Sequence, residues 1–169
     1  PFPETHYGAY KLAIEGIARA YNLENKINSF GLRPFVVYGP GREIGGTASI
    51  SLACKAVAEA KEYKIEFGGK AGFVYVEDIA NIVLKILDSL PNGAKVMNIN
   101  GITEEVVNIV EYLNSFTTNK KITNHNNTLP IVGEIIGNGP VDYFKNFSFT
   151  DIKTGLRKTI SYYKKSLEV

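Results

Sequence analysis

Gly31-Leu32-Arg33-Pro34-Phe35-Val36-Val37-Tyr38-Gly39-Pro40-Gly41-Arg42 is the stretch on which the fold turns. A run of apolar, β-branched and aromatic residues with glycine at both ends reads as a short buried strand, Gly31 to Tyr38. Upstream, Ala9, Leu12, Ala13, Ile17, Ala18 and Tyr21 recur with helical period over residues 8–22, and a polar exit follows. Helix followed by buried strand predicts a parallel sheet of an α/β protein. Gly39 to Gly46 breaks the strand as a glycine-rich loop.

The same alternation continues downstream. Thr47 or Ser49 is the expected cap of a helix carrying Ile50, Leu52, Ala53, Ala56, Val57 and Ala60. Lys64 to Phe67 and Phe73 to Val76 read as strands. Glu77 and Asp78 open a helix running through Leu90, with acidic groups at the positive end of its dipole. Lys95 to Ile99 is a strand, and Thr103-Glu104-Glu105 is expected to start a helix. Residues 117–146, rich in Asn, Gly, Thr and Pro, predict loops with short strands, and a last helix covers about Asp151 to Lys165.

Composition narrows the function classes. The 169-residue chain is 44% hydrophobic and 21% charged, ordinary for a globular domain with a real core. A formal charge of +2 with scattered basic residues gives no reason to expect nucleic acid. No apolar run approaches the roughly 20 residues of a membrane span. The one cysteine, Cys54, excludes an internal disulfide, fits a reducing, cytoplasmic compartment, and sits among core positions. Two histidines and one cysteine give no dedicated metal site. His125, among asparagines, reads as a surface residue. The Pro-Phe-Pro-Glu start lacks an initiator Met and a signal pattern, and reads as a chain opened inside a loop.

Tyr7 and Lys11 are the first candidates for chemistry. Four residues apart on a helix, they share one face. An ammonium within a few ångströms can bring a phenol, ordinarily near pKa 10, towards neutrality. Spacing alone is equally compatible with an exposed aromatic beside a solvated lysine.

Tyr7-Gly8-Ala9-Tyr10-Lys11-Leu12-Ala13-Ile14-Glu15 resembles the catalytic helix of the extended short-chain dehydrogenases, the NAD-dependent epimerase/dehydratase family. Residues 32–42 resemble that family's next strand and loop, and Phe73-Val74-Tyr75-Val76-Glu77-Asp78-Ile79-Ala80 its later strand–helix junction, in the right order and at the right intervals. The likeness covers residues 1 to about 115 well and the tail loosely.

The resemblance implies the C-terminal part of a Rossmann-type parallel sheet with a small substrate-binding α/β appendage. Residues 1–100 would belong to the dinucleotide-binding domain, interleaved with a substrate segment at about 43–72, and residues 101–169 to the substrate part. It further implies NAD or NADP as cofactor, Tyr7 as general acid/base, and Lys11 on the nicotinamide ribose. Pro34, Phe35, Val36 and Val37 would pass beside the nicotinamide, and His6, Tyr38, Arg42 and Lys70 would face a sugar-like substrate. A homodimer is the implied assembly. His6 and Arg42 also admit plain solvated roles.

Departures from the family pattern bear on substrate. The glycine-rich phosphate loop, the first strands and a catalytic Ser/Thr would all precede Tyr7. Gly39 to Gly46 cannot replace that loop, because Ile44 stands where its third glycine belongs. Val36 occupies a position often Asn, and Ala71-Gly72 a place often Arg-Asp, in nucleotide-sugar enzymes, with Lys70 a rough stand-in for the arginine. Both shift the expectation towards a smaller hydroxy or keto compound. A non-catalytic or split half that pairs with a separate N-terminal half is the rival expectation.

Overall fold

The computed structural model describes residues 2–89, 91–118, 121–129, 133 and 139–167. Helix α1 spans His6–Asn25, longer at both ends than the apolar period required. The Thr5 hydroxyl accepts from the Gly8 N–H at 3.1 Å, satisfying one of the donors that a helix start leaves open. Lys26 ends the helix in the left-handed region, φ 58°, returning its N–H to Asn22 and Tyr21 carbonyls. No residue of α1 is buried. Tyr10, Ile14, Ile17 and Tyr21 are all more than half exposed, while Leu12 tucks partly under the helix.

The strand that follows is divided in two. β1 (Ser29–Pro34) lies parallel to β5 (Ala94–Ile99), and the Phe35 N–H extends that ladder by donating to Ile99 O at 3.0 Å. From Val36 the chain changes partner: β2 (Val36–Tyr38) runs parallel to β4 (Lys70–Tyr75). Val36 and Tyr38 are buried, but β1 is only half-buried, so the expectation of one buried strand from 31 to 38 holds for its second half alone. Among the described residues, β1 pairs with β5 and nothing else.

Helix α2 (Ser49–Ala58) starts without a side-chain cap: Ala48 holds the N-cap position. The expected cappers are engaged elsewhere. Ser49 Oγ accepts from the Glu66 N–H at 3.0 Å and pairs with the Tyr63 hydroxyl, while Thr47 Oγ1 faces Arg42. Cys54 is fully buried here, and burial pushes its thiol up. β3 (Tyr63–Ile65) begins and ends earlier than expected and pairs in parallel with β7 (Ile122–Asn124). His125 follows, exposed.

β4 reads as a central strand because Ala71 to Tyr75 are all buried, as a strand covered on both faces must be. Val76, expected as its last residue, is the first of α3 (Val76–Asp88), whose first turn holds Glu77 and Asp78. The expected end of that helix, Leu90, lies outside the described residues. Thr103 to Glu105 do not start a helix: Ile102–Glu105 is β6, antiparallel to β4, and α4 (Val106–Ser115) follows. Pairing with Lys70 to Phe73 overrode the acidic helix-start signal, which local sequence cannot anticipate.

The tail returns through α5 (Gly139–Tyr143), a short helix inside the stretch expected to hold only loops and short strands, to α6 (Ile152–Ser166). Asp151 caps α6, accepting from the Thr154 N–H at 3.0 Å. One core joins α2, β2, β4, α4 and α6 around Tyr38, Ile50, Phe73, Ile109 and Leu156. A second joins Val74, Ile82, Ile86, Met97 and Ile99, with Phe144, Phe147 and Phe149 packed on it. Among the described residues, no helix is long and apolar enough to cross a membrane.

Candidate active site

Capping by Thr5 fixes the phase of α1, and that phase puts Tyr7, Lys11 and Glu15 on one face at successive turns. The Lys11 ammonium lies 5.4 Å from the centroid of the Tyr7 ring, within cation–π range. Tyr7 is 72% exposed. Between this face and β1 lies a cleft of about 720 Å³, lined on the helix by Tyr7, Gly8, Lys11, Leu12, Ile14 and Glu15, and on the strand by Gly31 to Pro34. Phe2 and Pro3 also line it. Gly8 lets Pro3 approach, since a Cβ there would stand 2.8 Å from Pro3 Cβ.

Across the cleft, Arg33 from β1 grips Glu15 from α1. Its Nε donates to Oε1 at 2.6 Å and its Nη2 to Oε2. The hydrogen bond from Arg33 holds the Glu15 carboxyl below its usual range, and the same bond raises the guanidinium. This pair ties the helix to the strand. Both residues stand in the motifs quoted above, yet nothing in one sequence says that they meet.

The remaining candidates fall in several places. Of the strand residues expected beside the cofactor, Pro34 lines the cleft, whereas Phe35, Val36 and Val37 do not; Val36 is buried in the core. Tyr38, expected at the substrate, is a core residue instead. Its ring packs on Tyr75 with centroids 5.7 Å apart, and burial raises its phenol. Arg42 folds back on its own loop, donating to Ile44 O at 2.6 Å and to Thr47 Oγ1 at 3.4 Å, rather than lining the cleft. Gly45, at φ +107°, makes room for that guanidinium. His6 is exposed at the start of α1, and Lys70 is exposed at the start of β4; neither is among the cleft residues.

Gly39 to Gly46 does join a strand to a helix, the arrangement that can hold a phosphate. The helix it leads into has Ala48, Ser49, Ile50 and Ser51 buried, so its N-terminus is packed into the core rather than presented to a ligand.

Comparison with known proteins agrees with this architecture. A dTDP-L-rhamnose 4-epimerase of Burkholderia thailandensis is 31% identical over 103 residues, 59% of this chain and 28% of that protein. An uncharacterised 37.6 kDa protein of Escherichia coli O111:H- is 33% identical over 94 residues, 54% of this chain and 27% of that one. The fold matches a UDP-glucose 4-epimerase of Thermotoga maritima, solved with UDP-glucose, at TM-score 0.81 and 22% identity, covering 99% of this chain and 56% of that one. It also matches a UDP-glucuronic acid 4-epimerase of Bacillus cereus, solved with NAD and a fluorinated UDP-sugar, at TM-score 0.71 and 24% identity, covering 98% and 55%. The chain thus spans about half the length of these solved structures, and its α/β fold is the matching part of their Rossmann-type architecture. The model of the NAD dependent epimerase/dehydratase family matches residues 1–100, more than half of the sequence, and the chain belongs to that family.

Proposed function

We propose that this chain carries the acid/base half of an NAD(P)-dependent epimerase/dehydratase-like oxidoreductase. The observation behind this reading is the Lys11 ammonium 5.4 Å from the Tyr7 ring in a cleft shared with β1. Tyr7 moves the proton of a substrate hydroxyl or carbonyl. Lys11, beside the Tyr7 ring, reaches for the nicotinamide ribose. The cleft suits that end of a dinucleotide, because it offers a cation, a phenol and the Gly31–Pro34 backbone in one place. Bound there, the nicotinamide would accept or donate hydride at the adjacent carbon. Its pyrophosphate needs an open helix N-terminus behind a glycine turn, which the buried start of α2 does not offer.

The substrate is a sugar or a related small hydroxy or keto compound, with His6 close enough in sequence to Tyr7 to contact it. The names of the relatives favour nucleotide-linked sugars, while Val36 and Ala71-Gly72 favour a smaller molecule. Dimerisation through α1 fits the apolar residues on its exposed surface. The test is a protein of family length carrying this sequence, assayed with nucleotide sugars, free sugars and hydroxy acids against NAD and NADP. Turnover that survives Tyr7→Phe would overturn the assignment.

A second reading is favoured by two features: α1 has no buried residue, and β1 has one strand partner among the described residues. On that reading the chain is one half of a two-piece protein. Co-expression with a glycine-rich N-terminal half, followed by native mass spectrometry, decides it.

A further inference from the structure

Glu15 stands one helical turn beyond Lys11 on the same face, and its side chain is only 13% exposed. A carboxylate so placed needs a cation. Helical side chains lean back towards the N-terminus, and residues four apart are within pairing reach. On α1 alone, Glu15 would therefore have Lys11 in front of it and Arg19 behind it. Neither takes it. Arg33 reaches across from β1 and engages both carboxylate oxygens with its planar fork, a geometry that an ammonium cannot match. Lys11, relieved of its neighbour four residues on, lies over its neighbour four residues back, Tyr7.

We propose that Arg33 is a positioning residue which, by occupying Glu15, leaves the Lys11 ammonium to Tyr7. The strand thereby sets the geometry of the pair on the helix. Its importance for turnover rests on the reading of Tyr7 and Lys11 given above, but the contact itself can be tested without turnover. The charged or titratable groups lining the cleft are Tyr7, Lys11 and Glu15 from α1 and Arg33 from β1. Arg19, one turn further along, also favours the charged form of Glu15.

The experiment is side-chain NMR of the Lys11 ε-methylene, which the Tyr7 ring current shifts upfield relative to the Tyr7→Leu variant. In Arg33→Gln this shift falls by about half or more, because the freed carboxylate is shared between two helical cations. In Arg33→Gln/Glu15→Gln it returns to the native value, because the competitor has gone. Mere loosening of α1 from β1 would alter both variants alike, so a double variant that behaves like the single one overturns the proposal. A full shift in Arg33→Gln overturns it as well. If Arg33→Gln does not fold, Glu15→Gln decides alone: it lacks the same ion pair, yet retains the full shift, and a lost shift overturns the proposal. Failure of the catalytic reading would appear separately, as turnover that survives Tyr7→Phe.

Discussion

Gly155 on α6 lies against the Tyr38 hydroxyl so closely that a Cβ at position 155 would collide with it. Both residues are buried, so the last helix of the chain seats on the strand that follows the candidate site through a glycine. Helix propensity alone would favour alanine here by about 1 kcal/mol. Overpacking opposes it by about 1–3 kcal/mol. We expect Gly155→Ala to lower stability in urea unfolding, and Gly155→Ala/Tyr38→Phe, which removes the hydroxyl, to recover part of the loss, because the ring Cζ would still lie 2.8 Å from the new Cβ.

Asp78 is the second tie between the tail and the body. Its buried carboxylate accepts from the Thr150 N–H at 2.9 Å and from the Thr150 hydroxyl at 2.8 Å. Thr150→Val keeps the shape and removes one donor from a buried charge, a loss of about 1–3 kcal/mol. Asp78→Ala should be worse and should loosen the start of α6. Amide exchange at residues 152–156 should quicken in both variants while α2 stays protected.

The Glu15–Arg33 pair makes the docking of α1 sensitive to acid. The folded-state pKa of Glu15 lies below the 4.5 ordinary for glutamate. The stabilisation it supplies is therefore complete above that value and lost as pH falls through the lower, folded value. With Arg33 partly exposed, the pair contributes about 1 kcal/mol. In Glu15→Gln, this share of the acid sensitivity between neutral pH and pH 3 should vanish, measured as unfolding free energy against pH.

For a family-length protein, Tyr7→Phe should cut turnover by about 10²–10⁴-fold with cofactor affinity nearly unchanged. The phenol acts on the reacting proton, whereas dinucleotide binding is spread over many groups. Single-turnover kinetics alongside cofactor titration separates the two effects.

The 169-residue chain should bind NAD or NADP only weakly, with no micromolar dissociation constant by calorimetry. The contacts it offers lie at the nicotinamide end, too few to offset the entropy of holding a flexible dinucleotide. Micromolar binding would point to a phosphate site at Gly39 to Gly46.

Residue order carried the long helices and most of the strands, because amphipathic period and glycine punctuation are local; the short α5 within 117–146 it did not carry. It carried the Tyr7–Lys11 proximity as well, since four residues on a helix is a fixed distance. It did not carry the Arg33–Glu15 grip, the burial of Tyr38 or the strand at Ile102–Glu105. Each of these is decided by a neighbour distant in sequence: β1 for Glu15, Gly155 for Tyr38, and β4 for β6. The inward fold of Arg42 is local, but it depends on a left-handed backbone at Gly45, which many glycine loops adopt for other reasons.

The exposure of α1 bears on motion. A helix with no buried residue belongs to the low end of local unfolding free energies, where segments open without the rest of the molecule. Its amides should exchange well before those of α2 or β4, whose residues fill the core. Tyr7 and Lys11 are thus mounted on a helix that is poorly anchored by burial, and the fraction of time they spend aligned is a population rather than a constant. Any partner surface that covers Tyr10, Ile17 and Tyr21, which do not line the cleft, would raise that population without touching either residue, and would act as an activator of the site from beside it.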